Sequence, residues 1–128
     1  MEHLYIEATA HTPEVFFNID ENKLCLLGRS FPEDAAVFYS PVIAWLENNI
    51  TEFSERFVLE VEFEYFNTAS AKYLLKLIHV MEKYKEAHDI PISVRWNYFK
   101  NDTDMKESGA EYQRFVTIPF EFIEVEKK

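Results

Sequence analysis

The apolar period changes from two to about 3.6 across four residues, Asn67-Thr68-Ala69-Ser70, and this fixes a strand, a corner and a helix in mid-chain. Before the corner, Leu59, Val61, Phe63 and Tyr65 alternate with Glu60, Glu62 and Glu64, as on a half-buried strand. The glutamate face must be solvated or paired, because three lone carboxylates cannot be buried. After the corner, Ala71, Leu74, Leu75, Ile78 and Met81 recur at spacings of three and four, forming one helical stripe. Lys72, Lys76, His79, Lys83 and Glu86 fall on the other side.

Asn67 and Thr68 both suit the helix N-cap, where a side-chain oxygen accepts from a first-turn N–H and contributes roughly 1 kcal/mol. The same geometry suits a phosphoacceptor. A phosphate on Thr68 would meet free N–H groups and the positive end of the helix dipole, adding a charge of about −1.5 to −2 at one surface point. Ser70, one step further in, is the rival acceptor. The exposed edge of this helix at Asn67, Thr68, Ala69, Ser70 and Lys72, extending towards Lys76, is the expected docking surface for a partner.

The flanking segments complete an α/β layer. Residues 4–8 read as a short strand, and residues 15–19 and 24–27 as a hairpin turning through Asp20-Glu21-Asn22-Lys23, with Gly28 as a breaker. Ser30-Phe31-Pro32-Glu33 resembles a capping box. Pro41 interrupts the helical pattern that follows: either the helix kinks there or a second helix begins at Ser40-Pro41 as cap and first residue, and the second is expected. Ile92, Val94, Trp96 and Tyr98 alternate as another strand, placing Arg95 to pair with Glu60, Glu62 or Glu64 of its neighbour. Residues 101–113 are polar with a short helix, and residues 115–125 read as an edge strand, where Pro119 is tolerated. The expected fold is α/β: a single-domain mixed sheet of about five or six strands over residues 1–128, with helices mainly on one face.

At 128 residues and 48% hydrophobic, the chain has enough core to fold alone. A net charge of −10 disfavours nucleic acid and anionic membrane surfaces, yet suits basic protein partners. Cys25 is the sole cysteine, so there is no intrachain disulfide. Met1-Glu2-His3 lacks the basic start of an export signal, no apolar run approaches the ~20 residues of a bilayer span, and a cytoplasmic location is expected.

Catalytic signals are weak. The four histidines are scattered without metal-site spacing, two glycines exclude a Gly-rich phosphate loop, and Asp102 with Asp104 lacks the rest of a calcium loop. Cys25 reads as a buried, inert thiol. No enzymatic activity, metal or cofactor is expected.

The stretch Glu64-Tyr65-Phe66-Asn67-Thr68-Ala69-Ser70-Ala71-Lys72 resembles the SiaC family of bacterial regulatory phosphoproteins. The resemblance extends in order through Gly28-Arg29-Ser30-Phe31-Pro32-Glu33, residues 38–46, Val94-Arg95-Trp96-Asn97-Tyr98 and Ile118-Pro119-Phe120. It implies a fold similar to the anti-sigma-factor antagonist (STAS) domains and assigns the phosphoacceptor to Thr68. It also implies a partner-switching pathway. A serine/threonine kinase with a histidine-kinase-like ATPase fold would add the phosphate, and a metal-dependent phosphatase would remove it. The unphosphorylated form would bind an output protein, a diguanylate cyclase in the best-known branch, raising cyclic di-GMP and promoting biofilm. Where the family has a hydroxyl residue after the acceptor, this chain has Ala69, which bears on kinase recognition. The alternative is a constitutive interaction or scaffold domain in which Thr68 is only a helix cap.

Overall fold

The computed structural model describes residues 3–127; Met1 and Glu2, which contribute to the expectation of no export signal, lie outside the described residues. The elements run β1 (Leu4–Ile6), β2 (Glu14–Asn18), β3 (Lys23–Ser30), α1 (Ala35–Asn49), β4 (Phe57–Phe66), α2 (Thr68–Ala87), β5 (Ile92–Phe99), α3 (Thr103–Phe115) and β6 (Phe120–Val125). Six strands form one mixed sheet in the order β1-β2-β3-β4-β5-β6. The β1–β2 and β2–β3 pairs are antiparallel and the rest parallel, so each helix serves as a crossover between parallel neighbours.

Alternation decides which face the helices cover. Val15, Phe17, Leu24, Leu26, Leu59, Val61, Phe63, Val94 and Trp96 are all fully buried beneath them. Residues of opposite parity, among them Glu14, Glu60, Glu62 and Arg95, lie on the other face. From α2, Leu74, Leu77, Ile78 and Met81 enter the core. Leu77 is thus part of the stripe, while Leu75 is only half-buried at its edge. Trp96 also seats α3: its indole N–H donates to the Met105 carbonyl at 2.9 Å. Gly109 packs so closely on the ring that an added Cβ would lie 2.6 Å from Trp96 Cδ1.

Four local expectations are corrected. Gly28 does not end its strand; β3 passes through it to Ser30 with a register shift after Gly28, whose φ of +115° a side chain would strain. Ser30 caps no helix. Asp34 does, accepting from the Val37 N–H at 3.2 Å, and Ser30 is the buried last residue of β3. One helix, α1, runs through Pro41. Pro41 lies on the exposed side, where water can serve the carbonyl that the ring leaves without a donor. Finally, Arg95 sits opposite Glu60 in register, but its Nε donates to Glu121 at 3.3 Å. Glu60 pairs instead with Lys23 at 2.8 Å and accepts from Asn97 at 2.7 Å. The turn at Asn22 does adopt the left-handed conformation, φ 56°. Among the described residues no helix is long and apolar enough to cross a membrane.

Candidate functional site

The corner between β4 and α2 is built by Asn67. Its backbone is extended, and its side chain accepts from the Ser70 N–H at 2.8 Å, so Asn67 is the N-cap and Thr68 is the first helical residue. This corrects the reading of Thr68 as the cap. The hydroxyl of Thr68 has no capping bond to supply and lies exposed, as does Ala69. The N–H groups of Thr68 and Ala69 make no hydrogen bond among the described residues, which leaves two donors at the positive end of a 20-residue helix.

The corner is held from beneath by a small polar network. The Ser30 carbonyl accepts from the Asn67 N–H at 3.0 Å and from the Ser70 hydroxyl at 3.1 Å. The Ser30 hydroxyl meets the Ser70 hydroxyl at 2.8 Å and, more closely, the Tyr39 phenol. Burial pushes the Tyr39 phenol above its ordinary pKa, while its hydrogen bonds with Ser30 and Ser70 act the other way. Three elements, β3, α1 and α2, are thereby tied together under Thr68.

This network removes Ser70 from the exposed surface. Ser70 is 1% exposed and its hydroxyl is engaged on both sides, so a kinase cannot reach it in this conformation. Of the expected docking residues, Thr68, Ala69 and Lys72 are exposed and Asn67 is half-buried. Lys76 turns aside, its ammonium 4.7 Å from the centroid of the Tyr73 ring.

Beside Thr68 a groove of about 270 Å³ opens between α2 and α3. Ala71, Leu75, Tyr112 and Phe115 supply its apolar lining, with Lys72, Ser108 and Glu111 completing it. The Tyr112 hydroxyl donates to the Ala71 carbonyl at 2.8 Å and fixes the two helices together. Phe115 is 72% exposed, an unusual position for a large aromatic. Sequence reasoning missed this half of the site by assigning residue 115 to an edge strand. The signal was present in the spacing of Ser108, Glu111, Tyr112 and Phe115, which share one helical face.

Elsewhere the chemistry is structural. Asp102 caps α3 by accepting from the Met105 N–H at 3.0 Å. Burial pushes the Cys25 thiol up to about 11. Among the described residues no cluster of three or more His, Cys, Asp or Glu could hold a metal ion.

The sequence model of one family, described as SiaC family regulatory phosphoprotein, matches residues 6–125. An uncharacterised protein of Pseudomonas aeruginosa (strain UCBPP-PA14) is 28% identical over 122 residues, 94% of each chain. Among solved structures, SiaC of Pseudomonas aeruginosa superposes with a TM-score of 0.86 at 24% identity, covering 98% of this chain and all of that one. A crystal structure of the diguanylate cyclase SiaD in complex with its activator SiaC, also from Pseudomonas aeruginosa, matches with a TM-score of 0.88 at 24% identity over 95% of this chain and 99% of that one. At these identities the structural likeness is one of fold.

Proposed function

The chain belongs to the SiaC family of regulatory phosphoproteins, and from that premise we propose that it is a non-enzymatic switch in which phosphorylation of Thr68 controls docking of an output partner. The observation that carries this reading is the exposed Thr68 hydroxyl, free of any capping duty, at the edge of an apolar groove. An apolar side chain of the partner fills the groove between Leu75 and Phe115 when the corner is neutral. A phosphate there places about −1.5 to −2 charges beside the groove, where docking would strip it of water. Lys72 offsets part of that charge and Glu111 adds to the repulsion. Moving a population from mostly bound to mostly free takes roughly 3–5 kcal/mol, within reach of one buried, unpaired phosphate.

The output partner is a diguanylate cyclase. The support is the compared complex, in which the Pseudomonas aeruginosa SiaC is the activator of such an enzyme. The phosphate is added by a serine/threonine kinase with a histidine-kinase-like ATPase fold and removed by a metal-dependent phosphatase, and the cycle runs in the cytoplasm. Phosphopeptide mass spectrometry on the native protein tests the site. Trypsin releases residues 57–72 as one peptide, because no Lys or Arg lies between Arg56 and Lys72. Fragment ions placing phosphate on Thr68 are expected. Phosphate on Ser70 would require the polar network beneath the corner to open and would contradict the proposed geometry. A peptide that stays bare after incubation with the cognate kinase and ATP would favour a constitutive interaction domain.

A further inference from the structure

Cations are scarce in this chain: 13 Lys and Arg stand against 23 Asp and Glu. Four of them nevertheless converge on a single basin of about 620 Å³ at the end of β4 remote from Thr68. Lys23 comes from the start of β3, Arg56 from the residue before β4, Lys85 from the last turn of α2, and Arg95 from β5. The only carboxylate in the lining is Glu21. Two of the cations are partly spoken for, Lys23 by Glu60 at 2.8 Å and Arg95 by Glu121 at 3.3 Å. Arg56 and Lys85 have no ion-pair partner among the described residues. Lys85 complements the negative C-terminal end of the α2 dipole, but no comparable role exists for Arg56, which caps no helix. With Lys23 and Arg95 each beside a glutamate, the cations left without a partner are Arg56 and Lys85, and a bound anion would pair them.

We propose that this basin binds a compact small-molecule polyanion carrying two or more phosphate groups. Arg56 and Lys85 take the phosphates, the Arg56 guanidinium as a planar fork and the Lys85 ammonium as a point charge, with Ser93 also in the lining. The lining favours such a ligand over a protein segment. Its large apolar residues, Phe57 and Ile92, are each 2% exposed, and the apolar surface it does present comes from Pro91, Pro119 and the half-buried Val58, so it lacks the aromatic anchor that dominates protein interfaces. With no exposed aromatic face to stack a base, recognition rests on the phosphates. Because β4 spans ten residues, about 33 Å at strand rise, this site stands apart from the Thr68 corner and does not depend on the switch proposed there.

The test is a titration of the ¹⁵N-labelled full chain with inorganic pyrophosphate at low salt, followed residue by residue by NMR. Saturable shifts are expected at Lys23, Arg56, Val58, Lys85 and Ser93, with the corner at Thr68 unmoved. The Arg56→Ala and Lys85→Ala variants, both surface changes, should each weaken binding by about tenfold, the loss of one charge-assisted contact. Lys100→Ala and Lys127→Ala, outside the basin, should leave it unchanged. Shifts spread evenly over all surface lysines, equal affinity in the basin variants, or binding of an acidic peptide at these residues where pyrophosphate fails would each overturn the proposal.

Discussion

At the residue scale, two adjacent side chains divide the work at the corner. Asn67 carries the cap and Thr68 carries an unencumbered hydroxyl. Asn67→Ala should therefore cost about 1 kcal/mol of stability, while Thr68→Ala should cost no more than about half of one, since no cap is lost. Urea unfolding of the two variants checks this, and equal losses would return the capping role to Thr68. The sequence left this point open because both residue types cap well; only the extended backbone of Asn67 and its bond to the Ser70 N–H separate them. The buried thiol makes a second prediction at this scale. With its pKa pushed up to about 11, Cys25 is overwhelmingly protonated at pH 8. Its reaction with iodoacetamide should be slower than that of an unfolded control by about two orders of magnitude.

At the scale of elements, the strands were far more legible than the helix boundaries. β4 and β5 follow directly from alternation, because a half-buried sheet imposes its period on every second residue, and β2 follows from an apolar run set against the turn at Asn22. The start of α1 was misplaced because Ser30 and Glu33 have the right spacing for a cap, yet Ser30 is held in β3 by its bonds to Tyr39 and Ser70. Pro41 misled for a related reason: its effect on a helix depends on whether water can reach the carbonyl it leaves unpaired, which spacing alone does not reveal. The length of α3 and its role at the groove were hidden by a polar sequence whose few core contacts are Met105, Gly109 and Tyr112. Gly109 is the point where α3 meets the sheet. Gly109→Ala should destabilise the protein by about 1–3 kcal/mol despite improved helix propensity, because the methyl has no room against Trp96. A denaturation midpoint at or above that of the wild type would show that α3 can shift freely.

At the scale of the whole molecule, one sheet carries helices on one face and a charged surface on the other, with the Thr68 corner and the cationic basin at opposite ends of β4. On the open face Glu60 joins β3, β4 and β5 through Lys23 and Asn97. Burial alone would raise the Glu60 pKa, but hydrogen bonds from Lys23 and Asn97 outweigh it and hold the carboxyl below its ordinary value. A depressed folded-state pKa contributes stability that is fully present above the unfolded value and lost as pH falls through the folded one. Glu60→Gln should therefore lower the urea midpoint at pH 7 and lose less stability than wild type on acidification below about pH 4.5. Parallel pH profiles would remove Glu60 from this role. The proposed switch is tested most directly by calorimetric titration of a cognate diguanylate cyclase, the proposed partner, with this protein in two forms, unmodified and fully phosphorylated on Thr68. Tight binding of the unmodified form is expected, with at least a hundredfold loss, about 2.7 kcal/mol, on phosphorylation; equal affinity of the two forms would rule out a switch at Thr68.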